Sequence, residues 1–552
     1  MTSLFHDLTP HVDPLRHKGT GPLRTQRPIY LNLRAPCNQA CPAGEDIQGW
    51  LALAQGGKFE KAWRKLVESN PLPGVHGRVC YHPCETSCNR AELDSAVSIH
   101  GVERLLGDMA VAQRWEVTPM PQTGKRVLII GAGPAGLSAA WHLRRLGHHV
   151  EIQEASTEPG GMMQFGIPAY RLPRAALQQE IDRIVALGVK LTLGCPVKDV
   201  AAARQAGNFD AVFIAIGAQI GKRIDIPGCD ASHMLTAVEL LHDAATGAAV
   251  KLGRRVAVYG AGNTAMDAAR TARRLGAEQA VIVFVSDRAH MEAHAFEARE
   301  AQDEGVTIKW LSSIQAVDTG SLTLEVMALD ASGKPQPTGQ FETLKADAVV
   351  MALGQQADSG FLGTLAGIEV LADGSVAVDA NLMTGAPGVF AGGDLVAGAR
   401  TVTSATGHGR RAAIQIHSWL GATVAQPAPA LPVVTFAMLN LPIYADAARA
   451  APTELEASRR VTGFDEVMAG LDAATARREA QRCLSCGNCF ECDNCYAACP
   501  EDAIEKLGPD LGYNVRLSAC TGCTVCVDQC PCHAMEMIPE PVADITKIEV
   551  AQ

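Results

Sequence analysis

Eight cysteines near the C-terminus repeat one spacing: Cys489, Cys492, Cys495 and Cys499 before Pro500, then Cys520, Cys523, Cys526 and Cys530 before Pro531. The run C-x2-C-x2-C-x3-C-P, written twice, is the ligand pattern of two [4Fe–4S] clusters, the fourth cysteine of each run serving the other cluster. The spacing predicts one cluster on Cys489, Cys492, Cys495 and Cys530, and a second on Cys520, Cys523, Cys526 and Cys499. Zinc is the weaker reading, because tetrahedral zinc sites rarely fuse two such runs before Cys-Pro; disulfides are weaker still. Such clusters move single electrons, so the chain must contain, or dock to, a source of them.

A strand must end where a dinucleotide would bind. Lys125 to Ile130 reads as a buried parallel strand and runs into Gly131-Ala132-Gly133-Pro134-Ala135-Gly136, then a helical stretch from Leu137 to Leu146. In this G-x-G-x-x-G context Gly131 makes the tight turn, Gly133 lets backbone approach a pyrophosphate, and Gly136 lets helix and strand pack closely. The helix N-terminus then favours the phosphate charge. The next strand, His149 to Gln153, ends at Glu154, placed to accept hydrogen bonds from an adenosine ribose. Val389 to Asp394 is a strand ending in Gly392-Gly393-Asp394. In two-domain flavoproteins such an aspartate binds the ribityl and phosphate region, so the first motif is expected to hold FAD. Gly161, Met162 and the stretch Gly166 to Pro168 would lie against the isoalloxazine, with Arg171, Gly217 and Thr403 as further candidate contacts.

A second strand, Arg255 to Tyr259, leads into Gly260-Ala261-Gly262-Asn263-Thr264-Ala265, where alanine replaces the third glycine. Two nucleotide sites, one for FAD, imply a nicotinamide at the other. The following strand, Ala280 to Val285, ends at Ser286-Asp287-Arg288. A 2′-phosphate needs arginine, whereas Asp287 suits a ribose diol, so the reading leans to NADH over NADPH. Strands ending near Gly217 and Gly354 look like the crossings between the two nucleotide domains. No C-x-x-C lies beside the flavin; Cys195 and Cys229 read as buried small hydrophobes. Electrons must therefore leave toward clusters and not a dithiol.

The chain's 552 residues are too many for one core. No 18-residue apolar run exists and residues 1–36 show no apolar leader core, so the expectation is a cytoplasmic protein with no membrane span. The net charge of −11 is uneven: from Cys483 onward 11 acidic side chains face 3 basic ones. That favours a basic protein partner and argues against nucleic acid. The histidines form no cluster, and none is nominated as catalytic.

Five more cysteines precede the first glycine motif, and their spacings fit neither zinc fingers nor a simple ferredoxin. The order is Cys37-x3-Cys41-Pro42, then Gly77-Arg78-Val79-Cys80-x3-Cys84-Glu85-x2-Cys88, then Ser98-Ile99-x3-Glu103-Arg104, then the FAD and NAD motifs. Over roughly residues 30–420 it resembles the glutamate synthase small-subunit family, a module also present in dihydropyrimidine dehydrogenase, in bifurcating NADH-ferredoxin:NADP oxidoreductase and in a sulfite-reductase-linked NADH oxidoreductase. The resemblance implies a helical N-terminal domain with two [4Fe–4S] clusters. Cys41, Cys80 and Cys84 would share one, with Glu103 as fourth ligand; Cys37 and Cys88 would belong to the other.

The sequence departs from that family in one place. The family opens with Arg-Cys-x2-Cys-Gly, and residues 1–36 hold no cysteine. The same pattern stands instead at Arg482-Cys483-Leu484-Ser485-Cys486-Gly487. Either Cys483 and Cys486 reach back to complete the cluster of Cys37 and Cys88, within a chain or across a dimer, or the N-terminal domain holds one cluster only. Cys532 receives no role.

The expected architecture is α/β with two Rossmann-like nucleotide domains, a helical N-terminal Fe–S domain and a C-terminal α+β bacterial-ferredoxin-like domain. Its bounds are 1–118 for the helical domain, 119–230 and 356–424 for the split FAD domain, 231–355 for the inserted NAD(P) domain, 425–480 for a linker or docking segment, and 481–552 for the ferredoxin domain. A helix is expected over Pro452 to Leu471. Nicotinamide exchanges hydride and clusters exchange single electrons, so FAD must stand between them. The leading expectation is an NAD(P)H:acceptor oxidoreductase subunit of a larger complex, such as a 2-oxoacid:acceptor oxidoreductase, glutamate synthase or sulfite reductase system, assembled as a hetero-oligomer or homodimer. A stand-alone NAD(P)H:ferredoxin oxidoreductase and a redox-sensing scaffold are the alternatives.

Overall fold

A computed structural model describes residues 24–228, 234–423, 431–509 and 511–540. Cys229 and most of the Pro/Ala-rich crossing that opens the 425–480 segment lie outside the described residues. The first glycine motif sits on a five-stranded, all-parallel sheet in the order Val389–Ala391, Ala211–Ile214, Arg126–Ile130, His149–Gln153, Lys190–Thr192. Its central strands are buried on both faces, which is why they read as unbroken apolar runs. The helices Pro134–Arg145 and Val402–Trp419 cover one face.

The second glycine motif sits on its own parallel sheet, ordered Thr307–Lys309, Gln279–Val283, Arg255–Tyr259, Ala348–Met351, Met234–Thr236. A short antiparallel pair, Ile220–Gly221 with Gln355–Gln356, marks the two crossings expected near Gly217 and Gly354. A three-stranded antiparallel sheet, Ser312–Asp318, Ser321–Leu329 and Pro335–Lys345, was not anticipated.

The helical N-terminal part does not stand apart. Ile47–Gln55, Phe59–Leu66 and Ile99–Ala112 present Trp50, Trp63 and Leu106 to the same core as Trp141 of the FAD part. Trp141 also donates its indole N–H to the carbonyl of Val67 at 3.0 Å. Burying such large rings without voids fixes the two parts as one body.

The ferredoxin-like part borrows its first strand. Gln26–Tyr30 pairs antiparallel with Met535–Pro539, while Ile504–Lys506 and Tyr513–Val515 form the other hairpin. Arg24 secures the borrowed strand, forking onto Glu540 at 2.8 and 2.9 Å and reaching the carbonyls of Leu517 and Cys520.

The expected helix over Pro452 to Leu471 is largely irregular: only Ala457–Arg460 is helical, and Glu454 bridges Met468 antiparallel. Gly463 and Gly470 interrupt the pattern, and Arg460 turns inward to pair with Glu454. The regular helix comes later, at Ala473–Gln481, capped by Asp472.

That helix delivers Arg482, 3% exposed, into a network beside Cys483. Arg482 donates to Glu479 at 2.6 Å, Asp94 at 2.9 Å and the carbonyls of Ser95 and Ala447. Glu479, 1% exposed, also accepts the N–H groups of Ser98 and Ala450, both at 2.8 Å. Arg482→Ala leaves that carboxylate buried without its cation, a cost of about 3–5 kcal/mol. The expected result is accelerated hydrogen exchange at the Ser98 and Ala450 amides; unchanged protection there would show that the network does not hold this arm.

Candidate functional site: two nucleotide motifs and four cysteine groups

The glycines of the first motif divide by what a side chain would meet. A Cβ on Gly131, which has φ +103°, would lie 2.5 Å from the Ala215 carbonyl oxygen, and one on Gly136 would lie 2.0 Å from that of Gly131. Those two exist for close packing. A Cβ on Gly133 would meet no protein atom within 4 Å. It faces a cavity of about 640 Å³ lined by Gly133, Glu154, Met162, Gly217, Asp394 and, from the second motif, Asn263 and Thr264. Pro134, Ala135, Gly161 and Gly393 line it too.

Both oxygens of Glu154 are fixed, by the Ala132 N–H at 2.6 Å and the Ser156 N–H at 2.8 Å. Burial raises the pKa of Asp394 to about 6, so partners from a bound ribityl chain would favour its ionised form. These features fit FAD: a bare glycine cradle at a helix N-terminus, and carboxylates at ribose and ribityl positions.

Two expected contacts and one residue expected to be core have further or different surroundings. Arg171 lines the cavity, but its guanidinium is tied to Asp267 at 2.7 Å and Glu297 at 2.6 Å, bridging the two nucleotide domains. Thr403 is buried beside Cys80 and is not among the residues that line the cavity. Cys195, expected to be a buried hydrophobe, is part of the cavity wall.

In the second motif a Cβ on Gly260 would meet the Ala352 carbonyl at 2.4 Å, whereas Gly262 is open save for Glu292 at 3.8 Å. Ala265 is fully buried where the helix meets the sheet. Gly354, φ +97°, accepts the Lys222 N–H at the crossing. Asp287 caps the short turn after its strand: it accepts the N–H groups of Ala289 and His290 and the His290 ring nitrogen at 2.7 Å. Arg288 is exposed beside it.

The cysteines gather in four groups. Cys41, Cys80 and Cys84 are mutual electrostatic neighbours of buried Glu103. Burial, with Glu45 close by, pushes the Glu103 carboxyl well up; Glu103 and Glu45 both accept from Asn70, at 2.8 and 3.0 Å. Glu45 was not anticipated. Its only signal is its place four residues after Cys41, and it stands with Glu103 beside Cys41 and Cys80.

Cys37, Cys88, Cys483 and Cys486 line one small, apolar cavity with Leu51, Val97 and Ile99. Burial first, and neighbouring thiols next, push Cys483 up to about 12, and burial raises Cys486 to about 11. Asn89 points its amide at Cys486 at 3.5 Å. Cys489, Cys492, Cys495 and Cys530 form the third group. The fourth is Cys499, Cys520, Cys523 and Cys526, around a small cavity closed by Pro28. The fourth cysteine of each run thus stands with the other run's three.

Backbone N–H groups point at several of these sulfurs: His82 at Cys80, Ser485 at Cys483, Ala503 at Cys499, Gly522 at Cys520 and Ala534 at Cys530, all at 3.2–3.4 Å. Thiolates are what such donors stabilise. Among the described residues no three cysteine sulfurs lie within 4.8 Å of one another. Zinc, at about 2.3 Å from each sulfur, would need them closer. The groups fit the larger [4Fe–4S] cube. Cys532 stands outside the groups, its sulfur 3.9 Å from that of Cys530 and donating to the Asn488 carbonyl.

The pyridine nucleotide-disulphide oxidoreductase family model matches residues 100–409, more than half of the chain, and the 4Fe–4S cluster domain II of dihydropyrimidine dehydrogenase matches residues 26–115. The chain belongs to this family of FAD- and NAD(P)-dependent iron–sulfur oxidoreductases. The β subunit of an NADP(+)-dependent formate dehydrogenase from Moorella thermoacetica is 37% identical over 499 residues, covering 82% of this chain and 70% of that protein. The β subunit of an NADPH-Fe(3+) oxidoreductase from Geobacter sulfurreducens is 34% identical over 505 residues, covering 82% and 75%. The small chain of the NADPH glutamate synthase of Escherichia coli is 31% identical over 416 residues, covering 70% and 88%. The family's two-domain α/β framework and N-terminal Fe–S domain are those described above. No helix among the described residues is long and apolar enough to cross a membrane.

Proposed function

We propose that this oxidoreductase carries electrons between NADPH and a redox partner protein, FAD exchanging hydride with the nicotinamide and single electrons with four [4Fe–4S] clusters. The observation that supports it most is the succession of cysteine groups. Val79 and Tyr81, flanking Cys80, line the dinucleotide cavity, so the first group abuts it. Cys84 and Cys88 join the first group to the second, Cys486 and Cys489 the second to the third, and Cys495 and Cys499 the third to the fourth. Tyr444 has Cys483 and Cys486 as well as Cys530 and Cys532 among its electrostatic neighbours. Cys523 is exposed at the end of the series. In this reading Glu103 is the fourth ligand of the first cluster, and Cys483 and Cys486 complete the second.

The experiment is steady-state reduction of a viologen and of a protein acceptor by the purified chain with NADPH. Cys523→Ala should leave reduction of the flavin by NADPH unchanged and slow reduction of the protein acceptor at least about tenfold. Absence of turnover with every acceptor would favour a redox-sensing scaffold.

Asp287 by itself favours NADH. In the fold its carboxylate is engaged by two N–H groups and a histidine, with the exposed Arg288 beside it. The relatives named above that specify a nucleotide specify NADP(H). The expected result is a kcat/KM for NADPH exceeding that for NADH by about tenfold or more, or 1.4 kcal/mol. A preference for NADH would restore Asp287 as a ribose ligand.

Two of those relatives are β subunits, and the C-terminal part is strongly acidic. Both support a partner subunit with a basic surface around its own redox centre. Reduced thiols in all four groups call for a cytoplasmic setting.

A further inference from the structure

The two ferredoxin-type cysteine groups are sequence repeats, but the borrowed strand treats them differently. From Gln26–Tyr30 the fourth group receives Pro28, an apolar ring with no donor. The third receives Tyr30, whose hydroxyl lies 3.3 Å from the Cys495 sulfur. The Tyr30 ring is held by stacking on Tyr513, centroids 6.2 Å apart and planes 17° apart. Tyr513 cannot take its place, because its own hydroxyl donates to Asp493 at 2.6 Å. Among the described residues, the hydrogen bonds to sulfurs of the fourth group come from backbone, Ala503 to Cys499 and Gly522 to Cys520.

We propose that Tyr30 Oη donates a hydrogen bond to Cys495 Sγ and thereby makes the third cluster easier to reduce than its twin. The inference rests on the reading of these cysteines as [4Fe–4S] ligands. A cluster-bound sulfur is an acceptor only, and a phenol at neutral pH carries its proton, so the donor is Tyr30. Reduction adds negative charge to the sulfur-rich cage, so a donor stabilises the reduced form more than the oxidised one. The half-buried position strengthens the bond relative to water. Tyr30 also lies seven residues before Cys37, so one short segment both tunes the third cluster and ligates the second.

The test is potentiometric titration of the full chain followed by electron paramagnetic resonance. The unmodified protein should show two separable ferredoxin-domain potentials. Tyr30→Phe should lower only the higher one, the reduced-to-oxidised ratio at fixed potential falling about tenfold, or about 59 mV for a one-electron couple. Iron content and the second potential should not change. Replacing Tyr30 with 3-fluorotyrosine, a stronger donor of nearly the same size, should shift the same cluster the opposite way. Tyr513→Phe should leave both potentials in place. No shift with either Tyr30 replacement, or equal shifts of both clusters at full iron content, overturns the proposal. If Tyr30→Phe sheds iron, the fluorotyrosine titration decides alone. If the unmodified chain holds no ferredoxin-domain iron, the cluster reading itself fails, a result separable from a misassigned donor.

Discussion

Gly133→Leu is expected to fold and to bind no FAD, abolishing every nucleotide-dependent electron transfer. The reason lies in what surrounds the position. The backbone at Gly133 is extended, φ −76° and ψ −176°, so no left-handed conformation is lost. The added Cβ meets no protein atom and points into the cavity where the pyrophosphate would approach. A leucine there competes with the cofactor and not with the core. Flavin released per chain should fall from about nine-tenths to below about a tenth, a loss that takes about a hundredfold weakening or more, about 2.8 kcal/mol. Far-ultraviolet dichroism should remain that of the unmodified protein. The contrasting substitution is Gly136→Ala, whose Cβ would lie 2.0 Å from the Gly131 carbonyl oxygen. That protein should lose stability as well as flavin. If Gly133→Leu keeps its flavin, the first motif does not hold the cofactor.

The second large effect concerns the cysteines at 483 and 486. The unmodified chain should contain about 16 iron atoms, four in each of four cages. The double substitution Cys483→Ser, Cys486→Ser should lower this to about 12. NADPH should still reduce the flavin, while electron delivery to the ferredoxin-type clusters falls by orders of magnitude. The four thiols line one apolar cavity where burial opposes four bare thiolate charges, and a bound iron–sulfur cube would offset them. Removing two ligands leaves Cys37 and Cys88 unable to retain it. The borrowed strand and the Arg482 network should keep the ferredoxin part docked, so the lesion is electrical before it is structural. About 12 iron atoms in the unmodified chain would sink this reading and leave Cys483 and Cys486 unused.

The inventory of chemistry was legible in the residues. Two nucleotide motifs were readable because strand, glycine turn and helix are contiguous, although the neighbours that crowd Gly131 and Gly260, the carbonyls of Ala215 and Ala352, come from distant strand ends. The ferredoxin runs were readable because a cube constrains the spacing of three cysteines on one loop. The departures came where a side chain's partner is remote. Thr403 follows a glycine motif, yet it is buried beside Cys80 from another domain. Arg171 stands beside the flavin stretch, yet two carboxylates of the nicotinamide domain claim it. Asp287 reads as a ribose ligand, and no spacing shows that its turn folds back to set three donors on one carboxylate oxygen, Oδ1. The helix expected over Pro452 to Leu471 failed because Arg460 could turn inward to Glu454, a pairing no periodicity shows.

Spacing alone pointed to FAD, a nicotinamide dinucleotide and [4Fe–4S] clusters, since phosphate turns and the ferredoxin runs are local geometry written in local sequence. It left open how those cofactors are wired. Cys37 and Cys486 are separated by nearly the whole chain, and so are Tyr30 and Cys495, yet the first pair lines one cavity and the second is within hydrogen-bond distance. No spacing rule links such residues. They meet because a common core fixes the helical and FAD parts, and because a strand from one end completes a sheet at the other. Contacts of that range are set by burial and packing of whole elements, and only the folded chain reveals them.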